Sequence, residues 1–141
     1  MSSKNGAILI IEDDADDQAL LKEAFKELGI HNPLVFFNLC EDAFNFLMST
    51  SSKPFLIICD VNLPGMNGTE LREKICRTDY LKKKSIPFVF FTTTARQQAV
   101  EKAYQLSVQG YFEKPDRFAD LKVRLALIIN YWKQCLHPYC F

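Results

Sequence analysis

Four places along this chain set chemically capable residues directly after an apolar run. The run "ILII" (8–11) leads into Glu12-Asp13-Asp14, and "IIC" (57–59) leads into Asp60. "PFVFF" (87–91) leads into Thr92-Thr93-Thr94, and "GYFE" (110–113) into Lys114-Pro115. Carboxylates, a hydroxyl and an ammonium can together bind a hard cation and handle a transferred oxyanion. Two carboxylates about 4 Å apart repel by roughly 4 kcal/mol at an effective dielectric near 20. Carboxylates brought together therefore want a divalent cation, and oxygen donors suit Mg2+. With cation and lysine neutralising the oxygens of an incoming phosphoryl group, a neighbouring carboxylate is placed to attack phosphorus.

These residues can meet only if the elements behind them converge. Helical and strand patterns alternate along the chain. Apolar spacing predicts helices over 16–28, 41–48, 68 to about 80, 95–107 and 116 to about 133, with Gly29 closing the first as a left-handed C-cap. Strands are predicted at "AILII", "PLVFFN", "FLIIC", "PFVFF" and "GYFE". Strands one, three and four are continuously apolar rather than alternating, as in strands covered on both faces. This implies a doubly wound α/β fold: a five-stranded parallel sheet between layers of five helices. Ligands on such sheets bind beyond the carboxyl ends of the strands, which is where the polar residues stand.

The 141 residues form one expected domain, with a core over about 6–133 and a short tail, 134–141. Net charge is zero, so no basic surplus points to nucleic acid. "MSSKNG" precedes no signal-peptide h-region. No apolar run approaches the roughly 18 residues that span a bilayer. Five cysteines form no disulfide framework, and Cys59 in a strand behaves as a small hydrophobe. A reducing cytoplasm is expected.

"ILIIEDD", "IICDVNLPGMNG", "PFVFFTT" and "GYFEKP" together resemble the bacterial two-component response-regulator receiver (CheY-like) domain. The resemblance implies a flavodoxin-like strand order, 2-1-3-4-5. By position, Asp60 resembles the phospho-accepting aspartate, Thr92 the hydroxyl residue, Lys114 the active-site lysine and Tyr111 the switch aromatic. Asp13 would ligate Mg2+ directly, Glu12 through water and Asn62 by its backbone carbonyl, with Asp60 completing the set. The Lys114–Pro115 bond would be cis. Pro64, Gly65 and Gly68 would shape the loop after the acceptor and launch the next helix. Glu12 stands where the family more often has aspartate. Thr93 replaces a small residue, which bears on the rate of phosphate loss. The implied partners are a sensor histidine kinase or histidine phosphotransfer protein and a downstream protein, with no nucleic acid or membrane involved. The protein would be a regulator rather than an enzyme, with only self-phosphorylation and self-dephosphorylation chemistry.

Plainer readings apply to several residues. Asp14, Asp16 and Asp17 complement a helix dipole. Thr94 reads as a helix cap, His31 and His137 as structural, and "CLHPYC" as a packed or disordered tail rather than a metal site. On the last helix, Phe118, Leu121, Leu125, Ile128 and Trp132 can form one buried stripe. Val123, Ala126, Leu127, Ile129 and Tyr131 fall partly outside it, so the tail or a second copy of the chain is expected to cover them. Two other functions compete. A haloacid-dehalogenase-type phosphohydrolase also uses a strand-end aspartate, but it needs an acidic residue two positions on, where Asn62 stands, and its nucleophile strand comes first. A phosphate-independent interaction module has no use for five converging polar groups.

Overall fold

The computed structural model describes residues 3–136. Five parallel strands, β1 (Ile8–Ile11), β2 (Leu34–Phe37), β3 (Leu56–Cys59), β4 (Phe88–Thr92) and β5 (Gly110–Glu113), form one sheet in the order β2-β1-β3-β4-β5. The helices are α1 (Ala15–Glu27), α2 (Cys40–Ser49), α3 (Gly68–Arg77), α4 (Asp79–Lys84), α5 (Gln97–Gln105) and α6 (Phe118–Gln134). The fold is thus the expected flavodoxin-like one, with six α-helices in place of five.

Every residue of β1, β3 and β4 is buried. Successive side chains go to opposite faces. Leu9, Ile11, Ile57, Cys59, Phe88 and Phe90 pack under α2–α5, whereas Ile8, Ile10, Leu56, Ile58, Val89 and Phe91 pack under α1 and α6. Two apolar layers sharing one sheet explain why these strands read as unbroken apolar runs.

Gly29 takes φ +68°, and its N–H and that of Ile30 close the end of α1 on Lys26 and Phe25 carbonyls. The extra helix arises at Thr78. Its backbone is extended, its hydroxyl donates to Lys74 O at 2.7 Å, and its carbonyl accepts from Leu81 and Lys82 N–H. One residue therefore ends α3 and starts α4, and the single helix expected over 68–80 becomes two. α5 begins at Gln97 with Arg96 as N-cap, so Thr94 is not the cap.

Candidate functional site

At the carboxyl rim, β1, β3, β4 and β5 deliver Glu12, Asp60, Thr92 and Lys114 to one point. Asp60 follows β3 directly, and its N–H is fixed on Ile11 O at 3.0 Å. The chain then has to turn away at once. Asn62 N–H donates to Asp60 Oδ1 at 3.1 Å, and Gly68 N–H returns to Val61 O at 3.0 Å. Gly68 is required by close approach, since a Cβ there would lie 2.3 Å from Asp60 O. Asn67 and Glu70 form a reciprocal capping box that starts α3.

Asp60 is 8% exposed and Thr92 fully buried. Thr92 Oγ1 donates to Asp60 Oδ1 at 2.7 Å, and Lys114 Nζ donates to Oδ2 at 3.0 Å. Lys114 also bonds Glu12 Oε1, and Asp17 Oδ2 at 3.0 Å. Glu12 Oε2 accepts Asp14 N–H at 3.1 Å. Burial works against the Lys114 ammonium, but its bonds to Glu12, Asp17 and Asp60 outweigh it and hold its pKa well above the usual lysine value. Burial pushes the Glu12 carboxyl up, against the opposing bond from Lys114.

Asp17 is the residue the sequence argument misplaced. It does lie in the first turn of α1, but its carboxylate also turns to Lys114. Asp14 is the N-cap and accepts Asp17 N–H at 3.0 Å, so the backbone that carries Asp17 is fixed at the start of α1. Gln18 was missed as well: its amide donates to Glu12 O and to Asn38 Oδ1, bracing the end of β1. Glu41 on α2 accepts Met66 N–H at 2.8 Å and so holds the loop beyond Asp60; that bond holds its carboxyl below the usual range.

Thr94 has a different role from a cap. Its hydroxyl meets the Asn62 side-chain amide, and its carbonyl accepts Tyr111 OH at 2.6 Å. The Tyr111 ring is half-buried and sits edge-on to Phe90 at 5.8 Å. Burial, then the Asp60 charge, raises its phenol pKa. Thr93 is exposed beside the site. The Lys114–Pro115 peptide, expected cis from the resemblance, is trans, as are all described peptide bonds. Trans is the lower-energy isomer even before proline, by about 0.5–1 kcal/mol, and Lys114 makes all its contacts from it.

Three carboxylates (Glu12, Asp17, Asp60) face one ammonium, an excess of two negative charges that a divalent cation would balance. The donors are oxygen throughout, so the residues fit a hard cation. Asp13 is exposed next to Glu12. Among the described residues no three metal-ligating side chains form a ready cage; Lys114 bonds both buried carboxylates, and a cation would share them with it. Of the other expectations, His137, Cys140 and the rest of the tail over 137–141 lie outside the described residues, while Cys135 caps α6 and Leu136 is exposed. His31 is exposed.

A family model described as the response regulator receiver domain matches residues 8–126. The chain is 30% identical over 129 residues to chemotaxis protein CheY-3 of Vibrio cholerae, covering 91% of this chain and 95% of that one. Among solved structures it resembles the phosphorylated cyanobacterial phytochrome response regulator RcpA, with TM-score 0.84, 26% identity, and coverage of 94% and 97% of the two chains. It also resembles the Mn(2+)-bound form of response regulator Rcp1, with TM-score 0.80, 30% identity, and coverage of 94% and 98%.

Proposed function

Because the chain belongs to the response regulator receiver domain family of two-component signalling, we propose that it is a phosphorelay switch whose acceptor is Asp60. The observation that carries this is the pairing of both Asp60 oxygens, one with Thr92 and one with Lys114, at a rim where two more acids, Glu12 and Asp17, meet the same lysine. The donor is a phosphohistidine on a kinase or phosphotransfer protein. One Asp60 oxygen bonds to phosphorus as the P–N bond breaks. The electron pair of that bond stays on the imidazole nitrogen, leaving free histidine and an acyl phosphate on Asp60.

Asp13, Asp60, the Asn62 carbonyl and, through water, Glu12 would hold Mg2+, which would supply positive charge to the transferred oxygens. Lys114, already 3.0 Å from Asp60, pairs another of those oxygens. The Thr92 hydroxyl, which now donates to Asp60, turns to the phosphoryl group. Tyr111 is bonded to Thr94 beside it, so a shift of Thr92 is felt at β5 and α5 and biases a two-state equilibrium. The setting is the cytoplasm and the output a protein partner. The phosphohydrolase reading has no support at Asn62, whose amide is spent on Thr94 and whose N–H is spent on Asp60.

Self-association through α6 belongs to the same reading. Leu121, Leu125, Ile128 and Ile129 are buried, but Val123, Leu127 and Tyr131, one turn apart each, are 61%, 64% and 61% exposed. A second copy covers this stripe, more tightly once Asp60 is phosphorylated. The test of the acceptor is intact-mass analysis after acetyl phosphate and Mg2+. Wild type gains one phosphoryl group and Asp60→Asn gains none; stoichiometric labelling of Asp60→Asn would sink the assignment.

A further inference from the structure

At the end of the sheet opposite Asp60 lies a cavity of about 190 Å³ between α3, α4 and the turn before β5. The floor is apolar, including Leu47, Ile57 and Ile86, and Lys82 and Ser85 stand at its edge. Arg72 projects from α3 into its wall. Its position between buried Leu71 and half-buried Glu73 makes it part of the core, only 8% exposed.

The Arg72 charge has no counter-ion: among the described residues no carboxylate lies within ion-pair distance of it. Its Nε donates to Leu106 O at 3.0 Å and its Nη2 to Ser107 O at 2.9 Å. Its guanidinium carbon lies 5.3 Å from the centre of the Phe88 ring. Those contacts satisfy two nitrogens with dipoles. The third, Nη1, has no hydrogen-bond partner among the described residues. Burial depresses the guanidinium pKa. Nη1 is not fully buried, so it is the one Arg72 nitrogen open to an incoming ligand, and a charge held this far from water is best matched by an anion. No acidic side chain lines the cavity, so nothing there repels one. The volume far exceeds the roughly 10–15 Å³ that a single water requires.

We infer that this basal cavity is a binding site for a small carboxylate with a short apolar chain. The carboxylate takes the free Nη1 N–H groups of Arg72, and the chain lies on the Leu47–Ile57 floor. Lys82 adds long-range attraction at the mouth. The other two N–H bonds of Arg72 hold the last carbonyls after α5, so the ligand and the end of α5 share one side chain. The site is separate from the phosphorylation rim and does not depend on it.

The probe is sodium isobutyrate, with its neutral isostere isobutyramide and sodium chloride at equal ionic strength as controls, added to the full chain and followed by two-dimensional NMR. Isobutyrate is expected to give saturable shifts at the Arg72 Nε–H and at the amides of Cys76, Ser107 and Gln109. Isobutyramide and chloride give none there, and Arg72→Met weakens binding by about tenfold or more. Lys82→Gln, at an exposed position, weakens it about two- to threefold, which provides a reading even where Arg72→Met fails to fold. Equal responses to isobutyrate and isobutyramide, non-saturating shifts, or no localised shift in wild type would each overturn the site.

Discussion

Replacing Glu12 by glutamine should make the metal-free protein more stable, although it removes an ion pair. The Lys114 ammonium is 3.0 Å from both Asp17 and Asp60 oxygens. A unit pair at that separation is worth about 5.5 kcal/mol at an effective dielectric near 20, and Glu12 gains roughly this from Lys114. Asp60 and Asp17 bond the same ammonium, so they stand roughly 5 Å from Glu12 and would each repel it by about 3 kcal/mol on the same scale. Solvent reduces the Asp17 share, since that side chain is 38% exposed. Attraction and repulsion nearly cancel, and the cost of burying the Glu12 charge is left over, in keeping with its raised pKa.

Glutamine keeps one acceptor for Lys114, and Asp14 N–H, at the rim, turns to water. A net gain of about 1 kcal/mol is expected, or about 3 °C in Tm for a chain of this size. The pH dependence follows. The unfolded chain releases the Glu12 proton at its usual value, 4.5, before the folded protein does. Wild type therefore loses stability as pH rises from there through the raised folded value, and the variant does not. Thermal unfolding by circular dichroism with EDTA should show the gap between variant and wild type opening as pH rises above 4.5. Added Mg2+ should close it by stabilising wild type more. A wild type more stable than the variant at pH 7 without metal, or a gap independent of pH, would refute the charge argument.

Gly68→Ala should lose about 3 kcal/mol in denaturant unfolding and most phosphorylation by acetyl phosphate, because its Cβ would meet Asp60 O at 2.3 Å. An unaltered unfolding midpoint would mean the loop relaxes freely. Thr93→Ala should shorten the phosphorylated lifetime by removing a branched side chain beside the water path to Asp60; an equal or longer lifetime in a dephosphorylation time course counts against it. Leu127→Asp should weaken self-association on the order of tenfold in sedimentation velocity with beryllofluoride and Mg2+. A wild type that stays monomeric in every condition would remove the dimer reading.

Asp60, Thr92, Lys114 and Glu12 were legible because parallel strands all point their carboxyl ends one way, so four sequence-distant residues are forced onto one rim. Asp17 was not, because helix capping explains an acid in the first turn equally well; its meaning lies in the angle at which the side chain leaves α1. The break at Thr78 was hidden for a related reason. Leu71 and Ile75 set a helical spacing that no Gly or Pro interrupts before residue 80, while the break depends on a hydroxyl–carbonyl bond within one turn. Arg72 was invisible to hydrophobic patterning because a charged residue in an apolar stripe reads as solvent-facing. Only packing reveals that it points inward, toward the carbonyls after α5.

Thr92 and Lys114 contact Asp60 from different strands, yet Lys114 N–H donates to Thr92 O at 2.9 Å, directly beyond the Thr92–Glu113 pairing. The two groups that bond Asp60 are thus mounted on a single rung of the ladder. Neither backbone can shift alone without breaking that bond. If Asp60 is the acceptor, a change of charge there would therefore move the sheet's edge as well as turning the Thr92 hydroxyl. The stiffness of one hydrogen bond would then turn a local chemical event into a mechanical one.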